Sequence, residues 1–192
     1  MTGLGACGVE VERYGGAARY KSFVTDPIEI IMPANAPHIP QEFAQHPDAR
    51  KGLNHNGMDV WGRKGTPILA AAPGRVLKSY YEPGYGNQIF IDHGRDENGA
   101  QVVTIYKHLD TRLVEEGQIV ARGAQIGTMG ETGLMSALVH LDFEVRKRKP
   151  GNSQAFDPHL FWVAGVGRVT CFEPGRNWPD QPFATTYPVV CR

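Results

Sequence analysis

The chain has 192 residues, with 20 basic and 20 acidic side chains and a formal net charge of +0. That balance removes any global electrostatic case for nucleic acid, which needs a basic face or stripe, and no apolar run approaches the length that spans a bilayer. Its 23 glycines and 14 prolines exceed average usage and separate short apolar runs, which predicts an all-β domain with many turns and few helices.

Taken in order, residues 1–16 are small and Gly-rich and read as a linker. Within them Leu4-Gly5-Ala6-Cys7 matches a bacterial lipobox, in which a small residue precedes a Cys that becomes lipidated. The charged and apolar regions that stand before such a motif are missing. The expectation is therefore either an internal start at Met1, with Cys7 a lipidation candidate, or an ordinary small-residue tail. Residues 17–50 are expected to hold a first strand, Tyr20 to Thr25, and a long ordered loop from Pro27 to Asp48. Loops of that length are commonly functional. This one could fold over a groove and lend Asn35 or His38 to it.

From residue 51 to 150 the texture is that of a β core. Thr66 to Ala72 is apolar and stops at Pro73-Gly74. Strands are predicted over Arg75 to Tyr81, Gln88 to Asp92, Val102 to Leu109, Gln125 to Met129 and Leu138 to Arg146, divided by glycine turns. In the third of these, alternation puts Val103, Ile105, Lys107 and Leu109 on one face and Val102, Thr104, Tyr106 and His108 on the other. In the last, Leu141, Phe143 and Val145 form an apolar face, and His140, Asp142 and Glu144 a polar one. The basic run 146–149 reads as a solvated strand end. Residues 151–192 read as an irregular tail anchored by Trp162, Phe172, Trp178 and Phe183. Its Cys171 and Cys191 suit a disulfide in an oxidising compartment; the alternative is two free buried thiols.

Two clusters carry chemistry. His55 and Asp59 are separated by three residues on a polar turn, Asn54 to Gly57, that runs into an apolar segment, and imidazole and carboxylate are first-choice ligands for a zinc-type ion. His140 and Asp142 project from one strand face. Burying that face unpaired would cost several kcal/mol, so it is either exposed or satisfied by a partner such as a metal, and it suggests a groove.

These residues lie in a series that resembles the lysostaphin-type (LytM-like) zinc metalloendopeptidases, which cut peptide cross-links of bacterial cell wall. The series includes His-Asn-Gly-Met-Asp-Val (55–60), Gly-Thr-Pro-Ile-Leu-Ala-Ala (65–71), Gly-Tyr-Gly-Asn (84–87), Asp-His-Gly (92–94), Tyr-Lys-His-Leu (106–109), Gly-Glu-Thr-Gly (130–133) and His-Leu-Asp-Phe-Glu-Val (140–145). The resemblance implies antiparallel sheets forming a groove. It also implies a metal on His55 and Asp59, with His108 and His140 assisting catalysis. The third ligand of that family is the second His of a His-x-His pair, and here that position is Asp142.

An imidazole replaced by a carboxylate brings the formal charge of ion plus protein ligands to zero. The carbonyl-polarising power of the site should then fall, and harder oxygen donors could favour manganese or iron over zinc. Carboxylates do bind zinc, so the site is read as weakened rather than deleted.

The resulting expectation is a divalent-metal endopeptidase acting on peptidoglycan peptide. It would be a monomer in the cell envelope, periplasmic or secreted, with a possible lipid anchor at Cys7. The alternative is a catalytically degenerate module of the same fold that binds wall peptide or regulates another hydrolase. Tyr106 is a candidate groove residue or a packing aromatic, and Glu144 could hold a histidine or be solvated. His93 is expected to be structural, and His159 a capping or surface residue.

Overall fold

The computed structural model describes the strand backbones at residues 11–14 and 17–20, and all of residues 28–45 and 54–192. The lipidation candidate Cys7, the histidine at 46 and residues 21–25 of the first expected strand lie outside the described residues. The stretch expected to be a linker contains β1 (Val11–Tyr14), paired antiparallel with β2 (Ala17–Tyr20).

The core strands are β3 (Met58–Trp61), β4 (Pro67–Leu69), β5 (Gly74–Glu82), β6 (Gly86–Arg95), β7 (Gln101–Leu109), β8 (Thr111–Arg112), β9 (Ile119–Val120), β10 (Gln125–Thr128), β11 (His140–Lys149) and β12 (Asn152–Phe156). A seven-stranded sheet runs β12-β11-β7-β6-β5-β9, with β3 also on β11, and a three-stranded sheet runs β4-β10-β8. All strand pairings are antiparallel. Among the described residues no helix is long and apolar enough to cross a membrane.

Strand alternation explains the layers. Leu141, Phe143 and Val145 on β11, Tyr106 and Val102 on β7, and Ile89 and Ile91 on β6 face one core, which also holds Ile68, Ile126, Tyr187 and Val189. The opposite face of the large sheet carries a smaller apolar cluster, Phe90, Val103 and Ile105. The same face carries Lys107, Asp142 and Glu144.

Three sequence expectations are decided here. Tyr106 is a core residue, not a groove residue: it is fully buried, its ring is 5.3 Å from that of Phe143, and its hydroxyl accepts the Ala71 amide at 2.9 Å. The tail is built into the domain. Its first residues form β12 on β11, and Trp162, Tyr187 and Val189 complete the core. Cys171 and Cys191 are joined by a disulfide, and closing a loop of this length restricts the unfolded chain by about 3 kcal/mol.

Third, alternation fails at the end of β7. His108 has φ of 61°, and the pairing with β6 shifts between Asn87 and Ile89. Lys107 and His108 together oppose one β6 residue, Gln88, which is a β-bulge. The extra residue turns Leu109 into the core with Tyr106 and sends the His108 ring to the polar side, 4.7 Å from the ring of His140.

Candidate metal centre

The site sits where β3, β11 and β7 lie side by side. Asp59 on β3 pairs with Asp142 on β11, which pairs with Lys107 on β7. His55 precedes β3 and is held by a bridge to Ala44. Its Nε2 is 3.2 Å from Asp59 Oδ1 and 3.9 Å from Asp142 Oδ1. One ligating atom from each of the three residues lies within 4.8 Å of the others, and this is the group that could hold an ion among the described residues. Donors around a tetrahedral ion at about 2.1 Å sit roughly 3.4 Å apart.

The donor set fits a cation on a second ground. With His55 Nε2 unprotonated, Asp59 Oδ1 and Asp142 Oδ1 are buried without a hydrogen-bond partner, and Asp59 Oδ1 gains one, at 3.2 Å, only when that nitrogen is protonated. Buried carboxylate oxygens are rarely left so, and both face the same imidazole nitrogen.

Three histidines share one device. His55 Nδ1 lies 3.0 Å from the Glu42 carbonyl, His108 Nδ1 2.8 Å from the Thr132 carbonyl, and His140 Nδ1 2.7 Å from the Leu138 carbonyl. A carbonyl only accepts, so each Nδ1 carries the proton, and in the neutral ring Nε2 keeps its lone pair. One such nitrogen belongs to the ligand group. His140 Nε2 is 3.8 Å from Asp59 Oδ1. Burial, with the neighbouring His140 and Lys107 charges, holds the His108 pKa below the usual imidazole value despite the Thr132 bond. A neutral ring at neutral pH can take a proton.

The glycine turns explain that anchoring. A Cβ on Gly86 would lie 2.2 Å from Thr132 Oγ1, and one on Gly133 would lie 2.3 Å from the Gly86 amide nitrogen. The turns 84–87 and 130–133 therefore pack against each other without side chains between them. Thr132 Oγ1 donates to the Leu109 carbonyl at 2.7 Å and accepts the Asn87 amide at 2.9 Å, which fixes the carbonyl that orients His108.

His55 also defines a pH dependence. Burial opposes its protonation, but the hydrogen bond and charge of Asp59, the charge of Asp142 and the Glu42 carbonyl outweigh it, and the pKa is raised to about 9. Because the folded value exceeds the unfolded one, the stabilisation is complete below about pH 6.5 and is lost as pH rises through 9. The shift corresponds to about 3 kcal/mol. Urea unfolding of chelator-treated protein at pH 6, 7.5 and 9.5 should show that loss. With zinc the loss should be suppressed, and calorimetry in buffers of different ionisation enthalpy should show about one proton released per ion near neutral pH.

A model of peptidase family M23 matches residues 53–158. The chain belongs to peptidase family M23. Similar curated proteins include the uncharacterized lipoprotein YgeR of Escherichia coli, 41% identical over 105 residues, covering 54% of this chain and 38% of that one. The peptidoglycan DD-endopeptidase ShyC of Vibrio cholerae is 35% identical over 129 residues, covering 67% and 28%. The murein hydrolase activator NlpD of Escherichia coli is 44% identical over 99 residues, covering 51% and 24%. This M23 chain thus spans about a quarter to two-fifths of the length of these relatives. Among solved structures, the catalytic domain of lysostaphin from Staphylococcus simulans matches with TM-score 0.54 at 30% identity, covering 64% of this chain and 89% of that one. A zinc containing peptidase from Vibrio cholerae matches with TM-score 0.54 at 30% identity, covering 68% and 38%.

Other parts of this M23 site were not legible as such. Lys107, expected only to alternate along its strand, is buried, and its Nζ donates to Asp142 Oδ2 at 2.9 Å and to Glu144 Oε1. Glu144 is neither solvated nor bonded to a histidine; its other oxygen pairs with Arg146. His159 is a buried residue rather than a surface one, although its amide is capped by Asp157 as its position suggested. Its Nδ1 accepts the Trp162 indole N–H at 2.9 Å, so its Nε2–H donates to Glu42 Oε2 at 2.7 Å. The same Glu42 presents its carbonyl to His55, which ties that ring to the core.

The loop at 28–45 runs beside β3 through bridges from Gln41 to Asp59 and Ala44 to His55. His38 is not in the ligand group: its ring meets Trp61 edge-on, and its carbonyl accepts the Trp61 amide. The Asn35 carbonyl accepts the Arg192 amide. His93 is structural, with its nitrogens 2.7 Å from the Pro73 carbonyl and 2.8 Å from the Thr104 hydroxyl.

Proposed function

We propose that this chain is a metal-dependent endopeptidase that hydrolyses peptide cross-links of bacterial peptidoglycan. The observation that carries the proposal is the convergence of two buried carboxylate oxygens, from Asp59 and Asp142, on His55 Nε2 beside two carbonyl-anchored imidazoles. His55, Asp59 and Asp142 would hold one divalent ion, with zinc supported by likeness to a zinc containing peptidase. When bound, that ion supplies Lewis-acid polarisation of a scissile carbonyl and a more acidic water. His108, neutral and with its Nε2 lone pair free, takes the proton of the attacking water. His108 then returns that proton to the leaving amine, while His140, 4.7 Å away ring to ring, stabilises the developing oxyanion when its Nε2 also carries a proton. The carbonyls of Thr132 and Leu138 each hold an Nδ1–H, which leaves Nε2 of both rings for the exchange.

The wall substrate is supported by likeness to ShyC and lysostaphin, and an envelope location by likeness to the lipoprotein YgeR. We place the protein there as a monomer, with Cys7 as its anchor if lipidated. A second possibility follows from Asp142 and from likeness to NlpD, a murein hydrolase activator: a module of this fold that stimulates another hydrolase. Purified protein loaded with zinc and incubated with isolated sacculi separates the two. Release of soluble peptide fragments, abolished by chelator and restored by zinc, is the expected result. Stoichiometric zinc with no release, together with stimulation of an added murein hydrolase, would establish the activator instead.

A further inference from the structure

The substitution of Asp for His at 142 does not stand alone. Asp142 Oδ2 is taken by Lys107 Nζ at 2.9 Å, while Oδ1 faces His55 Nε2 without a partner. Lys107 cannot swing away. Glu144 accepts a second of its protons, and the ammonium lies 4.3 Å from the centre of the Tyr85 ring. Glu144 is in turn fixed by Arg146. Along this row charges alternate from Arg146 to Glu144 to Lys107 to Asp142.

From this geometry we infer that Lys107 is a positioning residue that makes Asp142 a one-oxygen, charge-compensated ligand, and thereby keeps the site selective for a four-coordinate, zinc-type ion. Two consequences follow. The ion plus its surroundings regains the single positive charge that two imidazoles and one carboxylate would leave, because the Lys107 charge cancels that of Asp142. The occupied Oδ2 also denies the ion a bidentate carboxylate, which manganese and other hard ions of higher coordination number exploit. The inference rests on the metal-site proposal above.

The test is metal selectivity, measured on folded protein by chelator competition and by the visible spectrum of the cobalt-substituted form. Lys107→Met should raise the manganese-to-zinc affinity ratio by roughly an order of magnitude. It should also weaken the intense visible band of four-coordinate cobalt. The ratio is used because loss of a nearby charge strengthens both divalent ions alike and cancels. Lys107→Arg, which keeps charge and donors, should retain the wild-type ratio and spectrum. In an Asp142→His background, Lys107→Met should leave the ratio unchanged, since no second oxygen is released. Should Lys107→Met not fold, Lys107→Met/Glu144→Gln, which removes the surplus buried carboxylate, carries the same expectations. An unaltered ratio and spectrum in Lys107→Met, or in Lys107→Met/Glu144→Gln where that is the form that folds, would overturn the inference. Wild-type protein that binds neither zinc nor cobalt would instead remove the metal-site proposal beneath it.

Discussion

His108→Ala should lower peptide hydrolysis by about 10² to 10⁴-fold, the usual contribution of a positioned acid–base group, while zinc stoichiometry stays at that of the wild type. The ring belongs to no ligand pair, so the ion should be indifferent to its loss. It does cover the Thr132 carbonyl, and removing it leaves a half-buried acceptor unpaired, at no more than about 1–3 kcal/mol. The variant should therefore unfold at lower urea than wild type but remain folded at 25 °C, and both measurements belong together. Hydrolysis within threefold of wild type would take His108 out of the mechanism. In the activator alternative, His108→Ala should leave stimulation of a partner hydrolase intact.

Gly57→Ala should weaken zinc binding by about 10- to 100-fold, on the scale seen when support for a ligand is disturbed, although Gly57 itself ligates nothing. An added methyl would lie 2.5 Å from Asp142 Oδ1 and 2.5 Å from the Phe143 carbonyl, with Glu144 Cγ at 2.9 Å. The carbonyl belongs to β11 and cannot yield without disturbing the sheet, so the strain falls on the Asp142 carboxylate and on the turn that carries His55 and Asp59. Zinc titration against a competing chelator reads the effect directly. Hydrolysis should fall in parallel at limiting metal and recover partly with excess zinc. Affinity equal to wild type would mean that Asp142 is not a ligand.

Much of this was visible in the chain. The turn–strand character of Asn54 to Trp61, the strand at 140–146 and the glycine turns are local properties, set by φ preference and by period-two alternation. Resemblance to a family series supplied the five site positions, and the structure brings all five into one locality. Tyr106 and His108 show where local reasoning stopped. A pattern read two residues at a time cannot see a bulge, so it put Tyr106 and His108 on one face and offered both to the groove, where the structure keeps only His108. Tyr187 was invisible as a core residue for a similar reason, since an irregular segment buries side chains without a period, and Trp162 was legible only as an anchor of the tail.

The sequence by itself determined the class of the domain and its chemical inventory: β-strands broken by glycine turns, and a His, Asp and His series with one carboxylate where an imidazole was expected. Only the tertiary structure decided what that carboxylate means. Lys107 and Asp142 are far apart in sequence but are cross-strand partners on adjacent strands, and Glu42, His159 and Trp162 meet behind His55 in the same way. Whether a buried charge weakens a site or is compensated depends on what lies within a few ångströms of it. Antiparallel register sets that distance, and it cannot be read from the order of residues along one strand.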